Sequence, residues 1–184
     1  AAHRLHRPVR INVERDIDMW TTGTRHPFLG KYRAGVSPDG ELRALDLKLY
    51  CNAGFSMDLT GPIMDRALLH SDNVYKIPNV RAVGHVCLTN TSSNTAFRGF
   101  GGPQGLLICE AWMEHLATRL GMTPEQLRAR NLYPADGERT HFYQALDSCP
   151  VQRLWKELAE SSELDRRNAK VQAFNRASRW HKRG

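Results

Sequence analysis

The sequence predicts an α+β fold in which antiparallel or mixed strands pack against helices. Its strand-like and helical segments occur in clusters rather than in a regular β–α–β succession. At 184 residues the chain is long enough for one domain with a sizeable core, or for two small ones. The shares of apolar residues (41%) and charged residues (24%) are ordinary for a globular protein.

The first half of the chain contains most of the strand-like segments. Residues 7–13 alternate polar and apolar side chains, which is typical of a strand, and residues 14–26 are polar and turn-like. Residues 37–40, Ser-Pro-Asp-Gly, have the composition of a β-turn. We therefore expect residues 28–36 and 41–50 to form an antiparallel hairpin.

Helical patterns dominate the second half. Thr123, Pro124 and Gln126 have the spacing of a helix cap, a first-turn proline and a capping box. Gly121 occupies the usual position just after a helix C-terminus. The predicted helices comprise residues 63–70, 103–120, 124–131 and 151–179, the last with a break near residues 161–162, with a strand at residues 80–88 and a loop at residues 133–146.

Residues 89–104 form the most informative segment of the chain. Short polar residues, Asn90 and Asn94 among them, are followed by two aromatic residues that alternate with arginine and glycine. Such a composition favours an ordered loop, and Pro103 suits the first turn of the helix that follows. Free N–H groups and the positive end of that helix would face the mouth of the loop. The loop is therefore a candidate site for an anion, an oxo group or an electron-rich ring.

Pattern alone leaves the roles of the candidate side chains open. Arg98 and the neighbouring loop amides suit a bound anion, but the arginine suits a core carboxylate equally well. Phe100, between two glycines, suits either stacking on a planar ligand or plugging the core from a loop. Arg66 lies in an apolar helical segment and is interpretable as a surface or paired arginine. These residues do not form a self-sufficient catalytic constellation.

Charge and cysteine content limit the choice of function class. The net charge is +7, and from Leu164 onward seven Lys and Arg residues accompany one acid, Asp165. This excess permits a basic nucleic-acid-binding module, although a solvated helix face is favoured because the bases are not interleaved with an aromatic platform on which nucleotides could stack. The four cysteines contain no C-x-x-C pair, so we expect reduced thiols in an intracellular protein. No apolar run is long enough to predict a membrane span, and no secretory signal is visible.

The segment Thr-Asn-x-x-Ser-Asn-Thr-Ala-Phe-Arg-Gly-Phe-Gly-Gly-Pro-Gln at residues 89–104 resembles the molybdenum-cofactor domain of the xanthine dehydrogenase/oxidase family. The resemblance extends to Thr-Arg-His-Pro-Phe at residues 24–28, Asp-Arg-Ala-Leu at residues 65–68 and Asp-Asn-x-Tyr-Lys-Ile-Pro-Asn at residues 72–79. It covers essentially the whole chain. It implies that residues 1–184 are a fragment of the molybdenum-cofactor and substrate-binding domain, without a complete second domain.

The resemblance implies a role for each candidate residue. Phe100 would stack on a purine ring, and Arg66 would contact a purine oxygen and stabilise negative charge in the transition state. Phe97 and Ala96 would line the substrate pocket. Two further residues would contact the molybdenum–molybdopterin centre without ligating the metal through a side chain: Arg98 and Gly99.

The resemblance also implies the activity, which is hydroxylation of hypoxanthine and xanthine to urate. Electrons would leave through two [2Fe–2S] clusters and FAD to NAD⁺ or O₂, in a homodimeric parent enzyme located in the cytoplasm or the peroxisome. The glutamate base and a second substrate-binding glutamate would lie outside this chain, so we expect it to be inactive alone. An aldehyde oxidase is the alternative within the same chemistry, but Arg66 and the Gly101–Gly102 pair favour the xanthine branch.

Overall fold

The computed structural model describes all 184 residues, which form two compact units. The first unit comprises residues 1–33, 46–71 and 81–109. The second unit comprises residues 34–45, 72–80 and 110–184. The longer strands and one helix contribute residues to both units.

The main sheet has three strands in the order β1 (Phe28–Val36), β2 (Leu42–Gly54) and β3 (Asn79–Leu88). Strands β1 and β2 form the predicted hairpin. At its closed end the N–H of Ser37 donates to the carbonyl of Glu41 (2.9 Å). The predicted turn and antiparallel pairing are therefore confirmed.

Strands β2 and β3 run parallel to each other. The side-chain amide of Asn79 donates to the carbonyl of Arg43 (2.9 Å) at one end, and the N–H of Thr89 donates to the carbonyl of Gly54 (2.9 Å) at the other. Because parallel strands need a crossover, helix α3 (Thr60–Leu69) connects them. The sheet is thus mixed, as the predicted fold class allows.

The core of the first unit lies on one face of β2. Successive side chains of a strand point to opposite faces, and four alternate residues of β2 are at most 1% exposed: Leu47, Leu49, Cys51 and Ala53. Burial raises the pKa of the Cys51 thiol to about 12. Helix α3 adds Ile63, Met64 and Ala67 to the buried residues, and its opposite face is exposed.

Helix α4 (Gly102–Leu120) begins in close backbone contact with α3. A Cβ atom on Gly101, the residue before α4, would lie 2.1 Å from the carbonyl oxygen of Ile63. A Cβ atom on Gly105, one turn later, would lie 2.4 Å from the carbonyl oxygen of Ala67. These two glycines therefore allow the start of α4 to pack on α3 at a separation that no larger residue permits.

In the second unit, α4 contributes Trp112, Met113 and Ala117 to the core, each at most 1% exposed. Helix α5 (Pro124–Asn131) begins with the predicted capping box, in which Thr123 and Gln126 exchange side-chain and backbone hydrogen bonds. Gly121 ends α4 with a φ of 68°, as expected for a helix C-terminus.

A buried carboxylate joins distant segments of the second unit. Asp72 is 3% exposed and accepts a hydrogen bond from the Tyr133 hydroxyl (2.8 Å). His141 Nδ1 lies 3.2 Å from the same carboxylate. Burial and the neighbouring Asp72 raise the pKa of Tyr133, which therefore remains a protonated donor.

The rest of the second unit contains a two-stranded antiparallel sheet and two helices. Strands β4 (Glu138–Arg139) and β5 (Ala145–Leu146) pair with each other. Helix α6 (Val151–Ser161) contacts α7 (Leu164–Ala177), and Glu163 (φ 52°) forms the predicted break between them. Part of the terminal basic excess is used within the chain, since the guanidinium of Arg183 lies 3.9 Å from the centre of the Phe174 ring.

Two predictions in the first 26 residues are wrong, and the prediction for residues 133–146 needs a small correction. Residues 7–13 form no strand, and their apolar side chains, including Ile11 (83% exposed), are not buried. The turn-like residues 14–26 contain helix α2 (Arg15–Thr21), and α1 (Ala2–Leu5) precedes it. The predicted loop at residues 133–146 contains β4 and β5.

No helix of the chain has the length and apolar character needed to cross a membrane.

Candidate functional site

The loop between β3 and α4 divides into two segments with different environments. We call residues 89–95 the anchored segment, because its backbone is hydrogen-bonded to the rest of the first unit. The N–H of Asn94 donates to the carbonyl of Ala53 (2.9 Å), and the N–H of Thr95 donates to that of Thr24 (3.1 Å). The end of β2 and the segment before β1 therefore fix this part of the loop.

The side chain of Asn94 is central to the anchored segment. It is 7% exposed and donates through Nδ2 to the carbonyl of Asn52 (2.9 Å). Its Oδ1 accepts a hydrogen bond from the Thr24 hydroxyl (3.2 Å). Asn94 therefore ties the loop to the backbone at the end of β2.

A carboxylate fixes the far end of the anchored segment. Asp58 accepts hydrogen bonds from the Thr95 hydroxyl (2.7 Å) and from the N–H of Leu59 (2.6 Å). These donors hold the pKa of Asp58 below its usual value, the Thr95 hydroxyl having the larger effect. The carboxylate therefore remains charged and holds the loop at neutral pH.

We call residues 96–99 the open segment, because its backbone N–H groups and its arginine side chain have no partner in the chain. Ala96 is half-buried, and Phe97, Arg98 and Gly99 are exposed. The backbone N–H groups of these four residues donate to no acceptor of the protein, and the Arg98 guanidinium forms no hydrogen bond or ion pair. A run of free N–H groups beside a free guanidinium is the donor set of an anion-binding site.

The backbone from the last residue of the open segment onward adopts an unusual conformation. Gly99, Phe100 and Gly101 all have positive φ, at 96°, 50° and 98°. This conformation is free for glycine but costs a residue with a side chain about 1–2 kcal/mol. Phe100 is half-buried, so the strained backbone presents an aromatic ring that is still partly accessible.

Arg66 lies on the exposed side of α3 and its guanidinium forms no hydrogen bond or ion pair. The residues around it, Ile63 and Ala67, are those whose carbonyl groups meet Gly101 and Gly105. The structure therefore brings the helix that carries Arg66 and the loop that carries Phe100 into direct backbone contact.

Two residues of the site region were missed at the level of sequence. Arg25 donates from Nη2 to the carbonyl of Arg98 (2.7 Å), and its guanidinium lies 4.7 Å from the centre of the Phe97 ring. His26 is 2% exposed, and its Nε2 lies 2.8 Å from the Thr60 hydroxyl. Burial lowers the pKa of His26, so the ring is neutral at pH 7.

Comparison with known proteins assigns this arrangement to a family. Residues 1–132 match the molybdopterin cofactor-binding domain. The chain belongs to this family. The resemblance noted in the sequence is thereby confirmed, and so is the predicted fold class.

Two relatives of the chain are much longer than the chain itself. Xanthine dehydrogenase of Oryza sativa subsp. japonica and xanthine dehydrogenase/oxidase of Gallus gallus are each 50% identical to it over 184 residues. The alignments cover the whole chain, which spans 13% of the rice protein and 14% of the chicken protein.

Two solved structures share the fold. The aldehyde oxidoreductase of Desulfovibrio desulfuricans matches 83% of this chain with a TM-score of 0.74 and 27% identity, over 17% of its own chain. CO dehydrogenase of Oligotropha carboxidovorans matches 90% of this chain with a TM-score of 0.76, over 21% of its own chain. Since its identity is only 18%, this second likeness concerns the fold alone.

The open segment fits the cofactor for which the family is named. Its free N–H groups and the Arg98 guanidinium suit the anionic oxygen and phosphate groups of a molybdopterin. Residues 89–104 contain no Asp or Glu that would repel such groups. The molybdopterin cofactor-binding domain thus has a suitable donor set in its first unit.

A cleft in the second unit has a different character. Its volume is about 310 Å³, and its lining includes Lys76 and Arg130. Each of these cations already forms an ion pair, Lys76 with Glu138 and Arg130 with Asp39. An anion would therefore find fewer unpaired donors in this cleft than at the open segment.

Proposed function

We propose that the chain is part of a xanthine dehydrogenase, a molybdenum hydroxylase that oxidises hypoxanthine and xanthine to urate. Residues 1–184 would form a fragment of its molybdenum-cofactor and substrate-binding domain. The relatives with about 50% identity carry the name xanthine dehydrogenase, which supports this substrate class over the aldehydes of the more distant structural neighbour.

The observation that carries the proposal is the free guanidinium of Arg66, on a helix in backbone contact with the loop of Phe100. A purine accumulates negative charge on its ring and oxygens as a nucleophile attacks it. A cation that is not neutralised by the protein is available to stabilise that charge. A simple aldehyde builds up no charge on a ring, so its oxidation does not need a cation at this position.

The other residues of the loop would bind and orient. Phe100 would stack on the planar purine, at the cost of its own backbone strain. Ala96 and Phe97 would line the pocket beside it. Arg98 and Gly99 would hold the cofactor through the guanidinium and the loop amides. The bound molybdenum cofactor would supply the two-electron redox chemistry of the hydroxylation.

The remaining components would come from the rest of a longer enzyme. These are the glutamate base, two [2Fe–2S] clusters, FAD, and the site for NAD⁺ or O₂ as electron acceptor. The parent enzyme would be a homodimer located in the cytoplasm or the peroxisome. The isolated chain, which lacks the base, would not turn over.

The proposal is tested by Arg66→Met in the full-length parent enzyme. Loss of one charge-stabilising group should lower kcat/KM for xanthine on the order of 10²-fold or more. Turnover of an aromatic aldehyde should suffer much less, because the aldehyde does not build up ring charge. Steady-state rates on both substrates, normalised to molybdenum content, measure the effect.

Arg119→Met is the matched control, since Arg119 is an exposed arginine of helix α4 without a hydrogen bond or ion pair. It should leave both activities unchanged. Equal losses on xanthine and on the aldehyde after Arg66→Met would contradict a role in charge stabilisation. A wild-type enzyme active on the aldehyde alone would overturn the proposed substrate.

A further inference from the structure

Arg25 forms an unusual set of contacts in the first unit. Its Nη2 donates to the carbonyl of Arg98 at 2.7 Å, and its guanidinium lies over the Phe97 ring at 4.7 Å from the ring centre. One side chain therefore holds both the backbone and the aromatic ring of the open segment. No other side chain donates a hydrogen bond to that segment.

The electrostatic environment of Arg25 is not that of an ordinary structural arginine. It takes part in none of the ion pairs of the chain, and its Nη1 is buried without any hydrogen-bond partner. This nitrogen lies 3.9 Å from the position of a Cβ atom built on Gly99. A buried unpaired donor destabilises a fold, so its presence calls for an explanation other than stability.

The neighbours of Arg25 hold its backbone in place. Thr24 on one side accepts from the N–H of Thr95 and donates to Asn94. His26 on the other side is buried, and its carbonyl accepts from Nε2 of Gln104 (3.3 Å). The backbone of Arg25 is thus held between the two ends of the loop, and its guanidinium lies against the segment between them.

We propose that Arg25 is a positioning residue that acts through Phe97. Its planar face holds the ring while one N–H holds the carbonyl that follows, so the open segment is ordered before a ligand arrives. This inference rests on the proposed function, in which Phe97 lines the substrate pocket. It assigns to Arg25 a contribution to substrate affinity without contact with the substrate.

The proposal predicts a specific kinetic change. A Phe97 ring that has lost its cation partner samples several rotamers, and substrate binding must then order it. Because the ordering cost is paid equally in the ground state and the transition state, KM should rise while kcat per bound molybdenum remains nearly constant. A merely structural arginine would instead lower the amount of active enzyme and leave KM unchanged.

The experiment is a double-mutant cycle in the full-length holoenzyme with Arg25→Gln, Phe97→Ala and the combination. We expect Arg25→Gln to raise KM for xanthine about three- to tenfold. In the Phe97→Ala background the same change should have almost no further effect, because the ring that it positions is gone. Molybdenum content and the thermal unfolding midpoint are measured on every variant.

The control is Arg33→Gln, which changes an exposed arginine of the first unit without a hydrogen bond or ion pair. An unchanged KM after Arg25→Gln, or additive effects in the double mutant, would overturn the proposal. If Arg25→Gln does not accumulate as soluble enzyme, Arg25→Lys takes its place, since lysine retains the charge but not the planar face. A wild type that oxidises only the aldehyde refutes the proposed substrate, and the cycle on the aldehyde still decides the role of Arg25.

Discussion

The anchored segment and the open segment are consecutive in the chain and yet have opposite relations to the first unit. The anchored segment uses its N–H groups, carbonyls and hydroxyls in hydrogen bonds to β2 and to the residues before β1. The open segment leaves a run of N–H groups and the Arg98 guanidinium without partners. One loop therefore separates the groups that fold it from the groups available for binding.

The difference shows how such a loop can be both ordered and accessible. Free donors are useful for binding only when they are held in place, and the open segment has few bonds of its own. Its order comes from its two ends, which are the anchored segment and the backbone contact of Gly101 with Ile63, and from the contacts of Arg25 between them. Three predictions test this division, from the largest expected effect to the smallest.

The first prediction concerns Gly54, at the end of β2. A Cβ atom there would lie 2.3 Å from the carbonyl oxygen of Ser92, and the residue has a φ of 81°. An alanine at this position would have a strained backbone, and its Cβ would overlap the Ser92 carbonyl. Gly54→Ala should therefore destabilise the first unit by about 3 kcal/mol. The soluble yield, the thermal unfolding midpoint and the molybdenum content of the parent enzyme should all fall.

Gly61→Ala provides the matched control. Gly61 lies in the first turn of α3, and a Cβ atom on it would point into open space, with no neighbour within 4 Å. Alanine is favoured over glycine in a helix, so this change should be neutral or stabilise by up to about 1 kcal/mol. If both variants behaved alike, the close contact between Gly54 and the anchored segment would not be important for stability.

The second prediction compares the two asparagines of the loop. Asn94→Ala removes two side-chain hydrogen bonds at a buried position and leaves the carbonyl of Asn52 without its donor, at a cost of about 2–3 kcal/mol. Asn90→Ala removes an exposed side chain without a hydrogen bond and should cost less than about 0.5 kcal/mol. Thermal unfolding of both variants measures the difference, and similar losses would argue against the anchoring role of Asn94.

The elements predicted correctly from sequence are those determined by local chemistry. The Ser-Pro-Asp-Gly turn, the Thr123 capping box and the glycine after α4 act within a few residues, so their signals are present in the sequence. The strand predicted at residues 7–13 failed because alternation requires a partner strand and a buried face, and neither exists there. The alternation of polar and apolar residues does not by itself show whether a partner strand and a buried face are present.

The candidate site was predictable only in part, and for a related reason. The sequence pattern left Arg66 and Phe100 open to purely structural interpretations, and the roles that we propose for them came from the family resemblance. Arg25 was missed because its contacts are to residues more than 70 positions away. The one available signal was its position in the Thr-Arg-His-Pro-Phe motif at residues 24–28, which by itself gives the arginine no role.

The third prediction concerns Arg98, whose side chain is exposed and unpaired. Arg98→Met retains the backbone carbonyl that accepts from Arg25, so the loop should keep its conformation. The thermal unfolding midpoint of the molybdenum-free enzyme should therefore change by no more than about 1–2 °C. The molybdenum content of the purified enzyme should nevertheless fall several-fold, because the charged donor that we propose for the cofactor is lost. In Asn94→Ala, by contrast, stability and molybdenum content should fall together. A loss of stability in Arg98→Met as large as in Asn94→Ala would show that the two segments are not functionally distinct.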